Sequence, residues 1–187
     1  MAVFRSGLHD GAMRHLHNGM TAFDLLISMA IAAVLLATVV PGLRAWSLNH
    51  AMGAAVASLH GDLQFARAEA IRLRSHTVAC PGQLDSGCLD APAWHSGWLL
   101  FADSNGDREW QSGEPLLRQS PVVQGLSIAS SDARRRLKFS PQGAAPGSNA
   151  SITFCDARGS VAARQLTLSA SGRLRRLGVG EVTAPAC

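Results

Sequence analysis

The spacing of apolar positions changes twice along the chain, and each change predicts a different element. Residues 21–40 read TAFDLLISMAIAAVLLATVV, an almost continuous apolar run interrupted by one charge, Asp24. A helix rises about 1.5 Å per residue, so a run of about twenty spans about 30 Å, the thickness of a bilayer's hydrocarbon layer. Beyond Pro41 the run becomes periodic. Met52, Val56, Leu59, Leu63, Ala66, Ala70 and Leu73 step by fours and threes, one stripe of a helix, while His60, Arg67, Glu69, Arg72 and Arg74 fall off it. One long helix over 21–74 is predicted, bent at Pro41-Gly42, where the proline ring crowds the preceding turn. From His76 onward the pattern is of short runs between Gly, Pro and Ser clusters: 77–80, 98–102, 126–129, 136–139, 152–155, 165–169 and 173–177. Short strands behind one helix predict an α+β chain, its long N-terminal helix packed on a small antiparallel β head of two sheets. The segment 144–150 is expected to form a mobile loop.

The residues before the apolar run are few and include Arg5 and Arg14. A secretory signal places a small-residue cleavage site after such a run. Here Pro41-Gly42-Leu43-Arg44 follows instead and the helical pattern continues, so the run is retained as an anchor. Asp24 changes the picture, because a carboxylate near the start of a membrane helix is costly and points to a function. The stretch Gly19-Met20-Thr21-Ala22-Phe23-Asp24 resembles the prepilin processing motif, with an acid at the fifth mature position. Pro41 falls at mature position twenty-two, where pilins commonly carry a kinking proline. The resemblance implies cleavage between Gly19 and Met20 by a prepilin peptidase, which also methylates the new amino terminus at Met20. It implies further that Asp24 pairs with the N-terminal amine of a neighbouring subunit in a filament, where two buried charges are tolerable only together. Two positions depart from the family pattern: Asp24 stands where Glu is usual, and Asn18 where a base is usual.

Further stretches extend the resemblance. They are 63–70 (LQFARAEA), 97–103 (GWLLFAD), 113–117 (GEPLL), 154–159 (FCDARG) and 168–175 (LSASGRLR). In this order they resemble the GspH/FimT family of minor pilins and pseudopilins. The implied domains are a leader over 1–19, a transmembrane or filament-core helix over 20–47, and a pilin head over 48–187 whose helix continues to about 74. The implied protein is a minor pilin of a type IV pilus that assists assembly. The alternative is a GspH-like minor pseudopilin of a type II secretion system. Either would be a single-pass inner-membrane protein with a periplasmic head, incorporated in a pilus or pseudopilus among other pilins or pseudopilins.

Charge adds a second theme. Six acids face one base between Asp85 and Glu114, whereas nine bases face one acid between Ala133 and Gly180. Such asymmetry marks interaction surfaces. Arg134, Arg135, Arg136 and Lys138 form one basic cluster; Arg173, Arg175 and Arg176 form another, in which alternation puts Arg173 and Arg175 on one side of a strand. In FimT-type pilins a Gly-Arg-x-Arg run is associated with DNA capture, and Gly172-Arg173-Leu174-Arg175 resembles it. Double-stranded DNA is therefore the expected nucleic-acid partner, held through its phosphates. A surface that contacts other pilins or keeps the head soluble is the plainer reading of the same bases.

Four cysteines allow three pairings. The expected pair of disulfides is Cys80–Cys88, closing a short Pro/Gly loop, and Cys155–Cys187, stapling the C-terminus to a strand. Asp103, Asn105, Asp107 and Glu114 carry oxygens at the spacing of a calcium loop, but the glycine is at the wrong position and no helices flank it. A solvated acidic turn is the expected structure there. No G-x-S-x-G elbow or His-x-x-x-His pair occurs, so the sequence gives no sign of an enzyme and calls for no cofactor.

Overall fold

The computed structural model describes residues 21–182 and Cys187. Helix α1 runs Ala22–Leu73 and is continuous across Pro41. A boundary between two compact units falls between Arg44 and Ala45. In the first unit the helix exposes its apolar side chains, Phe23 and Val34 among them. Among the described residues this is the one helix long and apolar enough to cross a membrane, with a window of mean hydropathy 2.4.

In the second unit the apolar stripe of α1 is buried: Met52, Val56, Leu59, Leu63, Ala66 and Ala70, with Ala55 beside them. Leu73, in the last turn, is 37% exposed and drops out of the stripe. The helix closes on Arg74 at φ 51°. The Ser75 N–H bonds the Ala70 carbonyl and the Arg74 N–H bonds that of Ile71, both at 3.3 Å. This is a Schellman closure in which arginine stands where glycine is usual.

The strands are β1 (His76–Gln83), β2 (Gly87–Cys88), β3 (Trp98–Asp103), β4 (Leu116–Ser120), β5 (Ser127–Ala129), β6 (Leu137–Phe139), β7 (Ala150–Cys155), β8 (Arg164–Leu168) and β9 (Leu174–Leu177). They form two antiparallel sheets among the described residues. In the first, β1 pairs β3 along one edge and both β2 and β6 along the other, and β4 adds to β3. The second has the order β5-β7-β8-β9. The helix stripe packs into one core with Trp98, Leu100, Leu137 and Phe139 of the first sheet and Ile128, Ile152, Phe154 and Leu166 of the second. The far side of the first sheet carries its own cluster, Val78, Cys80, Leu99 and Phe101, with Trp110 folded over it. Both faces of β3 are therefore covered, which is why Trp98-Leu99-Leu100-Phe101-Ala102 reads as a continuous apolar run rather than an alternating one.

The α+β architecture read from the spacing is the one observed, and the seven anticipated runs lie in β1, β3 and β5 to β9. Two strands escaped that reading. Strand β2 has only two residues. Strand β4 is an edge whose Leu116 and Arg118 are exposed while Ser120 is buried, the reverse of an apolar-inward alternation. The expectation of a mobile loop over 144–150 is corrected. Ala145 and Ser148 are fully buried, the Ala145 N–H bonds the Ala170 carbonyl at 2.9 Å, and the Ser148 hydroxyl accepts the Lys138 N–H at 3.0 Å. Small residues there let the backbone pack closely.

Candidate functional site

Asp24 lies on the exposed first turn of α1. Its Oδ2 accepts from the Thr21 backbone N–H at 3.0 Å and the Thr21 hydroxyl at 2.8 Å, and the Asp24 N–H returns a bond to Thr21 Oγ1 at 3.3 Å. The acid thus caps the helix start reciprocally with Thr21. Gly19 and Met20, the expected processing site, lie outside the described residues.

The cysteines join as Cys80–Cys88 and Cys155–Cys187, with Cα separations of 5.5 and 5.8 Å. The first closes the turn from β1 to β2. The second fixes Cys187 to the end of β7.

The acidic segment turns its carboxylates inward on its own backbone. Asp103 Oδ1 accepts the Gly106 N–H at 2.8 Å, Asp107 Oδ1 accepts that of Glu109 at 2.8 Å, and Glu114 Oε1 accepts that of Ser104 at 2.9 Å. Asn105 Oδ1 accepts the Asp107 N–H at 3.0 Å. Among the described residues no three acids, His or Cys gather as metal ligands would, and Asp103 instead meets Lys138 Nζ at 3.4 Å.

That last contact begins the sorting of the basic residues. Arg136 forks onto Glu109, with 2.9 and 2.8 Å hydrogen bonds, and also donates to the Leu89 carbonyl. Arg135 meets Asp90. The first basic cluster thus spends three of its four cations on the acidic segment, so much of the charge asymmetry read along the chain cancels in space. Sequence reasoning missed these partners because they stand some 27 to 47 residues away. Only Arg134 turns elsewhere, its Nε donating to the Asn149 carbonyl at 2.8 Å.

The second cluster divides across β9. Arg175 stands opposite Thr167 on the outer, solvent-facing side of the second sheet, and Thr167 stands opposite Ser151. Arg173 precedes the strand in the hairpin turn, where its carbonyl and N–H bond Ser169, and alternation places it on the same outer side as Arg175. Arg176 stands opposite the buried Leu166 and so belongs to the inner side, toward α1. The strand therefore separates Arg176 from Arg173 and Arg175, since adjacent residues of a strand face opposite sides.

Gly172 fixes where this hairpin sits. Its φ is +77°, and a Cβ there would lie 2.0 Å from the Gly143 carbonyl oxygen. The glycine of the Gly-Arg-Leu-Arg run is thus a packing residue that docks the β8–β9 turn on the segment before β7. A groove of about 430 Å³, lined by Arg134, Asn149, Ser151 and Thr167, runs along this face. Among the described residues the Arg173 and Arg175 side chains have no ion-pair partner. Exposed, unpaired guanidinium groups over a floor of hydroxyls and amides can take phosphate oxygens bidentately.

At the opposite end of the sheet, Arg158 holds Asp156 in a forked pair, with contacts of 3.1 and 2.5 Å. The Arg158 hydrogen bonds keep the Asp156 carboxyl below the usual aspartate range. His60 of α1 is held below the ordinary histidine value, first by burial and then by the nearby Arg176.

Comparison with known proteins puts this geometry in context. The sequence profile of the family described as type II transport protein GspH matches residues 55–172. No curated protein matched the chain. Two crystal structures of the type IV minor pilin FimU from Pseudomonas aeruginosa (strain PAO1) share the fold. One, in space group P21, superposes with a TM-score of 0.59 at 19% identity over 73% of this chain and 95% of that one. The other, in space group P65, gives 0.57 at 20% identity over 72% of this chain and 99% of that one.

Proposed function

The chain belongs to the GspH family, pilin-like in fold, and from that footing we propose that it is a minor pilin of a type IV pilus that assists assembly and captures DNA on the outer face of its second sheet. The observation that carries the DNA reading is that Arg173 and Arg175 are exposed and, among the described residues, without ion-pair partners, on the sheet face whose Ser151 and Thr167 share a groove with Arg134. Arg135, Arg136 and Lys138 contribute less, because binding phosphate would require leaving Asp90, Glu109 and Asp103. The proposal includes the processing steps: a leader over 1–19 removed between Gly19 and Met20, methylation of Met20, an anchor over 20–47 and a periplasmic head over 48–187.

Gripping phosphates releases counterions, so binding should fall steeply with salt and vary little with sequence. Replacing Arg173 and Arg175 by Gln should weaken binding of double-stranded DNA by the full-length protein and flatten the salt slope by about one unit for each phosphate no longer gripped. Undiminished binding by that variant, or wild-type binding that ignores salt, rejects the DNA role. A second reading, a minor pseudopilin of type II secretion, has the description of the matched family in its favour. It is preferred if deleting the gene impairs enzyme secretion and leaves piliation and DNA uptake intact.

A further inference from the structure

Strand β9 carries two cations on its two faces, and the inner one has no assigned work. Arg176 faces α1 across from Leu166, and Arg164, two residues before Leu166 on β8, shares that inner side by alternation. The Arg164 guanidinium reaches the helix, where a Cβ on Gly53 would lie 3.3 Å from its Nη1. Together with Gly53, Val56, Leu177 and Val179 the two arginines line a cleft of about 370 Å³. Several other cations of this head have an anion: Arg118 has Asp62, Arg136 has Glu109, Lys138 has Asp103 and Arg158 has Asp156. Among the described residues Arg164 and Arg176 make no ion pair, and the acid whose charge reaches Arg164, Asp156, is already held by Arg158. Glu181, close by in sequence, spends its carboxylate on the Gly178 N–H at 2.7 Å. His60, whose pKa is lowered by burial and then by Arg176, has no anionic form to offer them.

Two guanidinium groups with no ion pair of their own, beside apolar side chains, leave room for an acid from outside the head. We infer that this cleft receives an acidic side chain, flanked by apolar residues, from a neighbouring pilin-type subunit. A phosphate backbone would meet the guanidinium groups but leave Val56, Leu177 and Val179 uncovered, whereas a peptide segment satisfies both parts of the cleft. The two faces of β9 then have separate tasks: Arg175 outward for DNA, Arg176 inward for assembly. The inference rests on the minor-pilin reading, because it needs a neighbouring subunit.

The test is charge reversal followed by suppressor selection in the native host. Arg164→Glu/Arg176→Glu should lower the amount of the chain in sheared filaments by tenfold or more, while membrane level and DNA binding by the purified full-length variant stay at wild type. Suppressors restoring incorporation should change an Asp or Glu of another pilin-type chain to Lys or Arg. If the doubly reversed chain does not accumulate, the exposed Arg176→Gln alone should reduce incorporation about threefold. Wild-type incorporation of these variants, or lost DNA binding with normal incorporation, overturns the cleft. A wild-type chain absent from filaments fails the minor-pilin reading instead, which separates the two failures.

Discussion

Arg74 ends α1 in the left-handed backbone region, which costs an L-residue about 1–2 kcal/mol. Arg74→Gly removes that cost and adds some unfolded-chain entropy, so the head should gain about 0.5–1 kcal/mol, read as a higher urea midpoint by tryptophan fluorescence. Asp156 gives a pH-dependent term. Its carboxyl is held below the ordinary value by Arg158, so the folded state binds its proton less readily than the unfolded chain does. The stabilisation is complete above about pH 4 and is lost as the pH falls further. Asp156→Asn should therefore flatten the acid limb of the stability curve while lowering stability at neutral pH. Single residues were legible in the sequence where the signal is local. Leu63 and Ala66 declared themselves by helical spacing, but their neighbour Asp62 did not. It is buried because the Trp98 indole N–H and Arg118, both bonded to it at 2.8 Å, lie 36 and 56 residues further on.

Among elements, the β8–β9 hairpin is the one on which the site depends. Gly172→Ala adds a methyl group against the Gly143 carbonyl at positive φ. It should cost roughly 2–4 kcal/mol and weaken DNA binding together with stability, in contrast to Arg175→Gln, which should leave the melting temperature unchanged. A thermal melt of the two variants beside a binding curve separates the roles. The outer placement of Arg173 and Arg175 was legible, since alternation is fixed by the pleat. The fate of Arg135, Arg136 and Lys138 was not: a charge run shows its sign but not its partners, and those lie at the end of β3 and in the loops of the first sheet. Strand β4 was hidden for a related reason, because an edge strand with an exposed Leu116 has no periodic contrast to display.

At the level of the whole molecule, the anchor and the head make different demands on the same helix. Asp24→Ala loses only a local cap with Thr21, worth about 1 kcal/mol in the first turn, and removes a charge from lipid. Membrane insertion should be undiminished while incorporation into filaments falls about tenfold, and Asp24→Glu should restore it; fractionation and immunoblotting of sheared filaments measure both. The head is built by alternation between its sheets. The chain lays down β1 to β4 in the first, crosses to the second for β5, returns for β6, and crosses again for β7 to β9. While the polypeptide is still being made, the middle of β1 therefore waits with one edge open until residues 137–139 arrive to pair with it. An open edge beside uncovered apolar side chains is the state most prone to sticking to other chains. The hazard for this protein thus falls while the chain is incomplete rather than after it has folded, and a holding chaperone that binds the unfinished chain should matter more to its yield than any surface feature of the finished head.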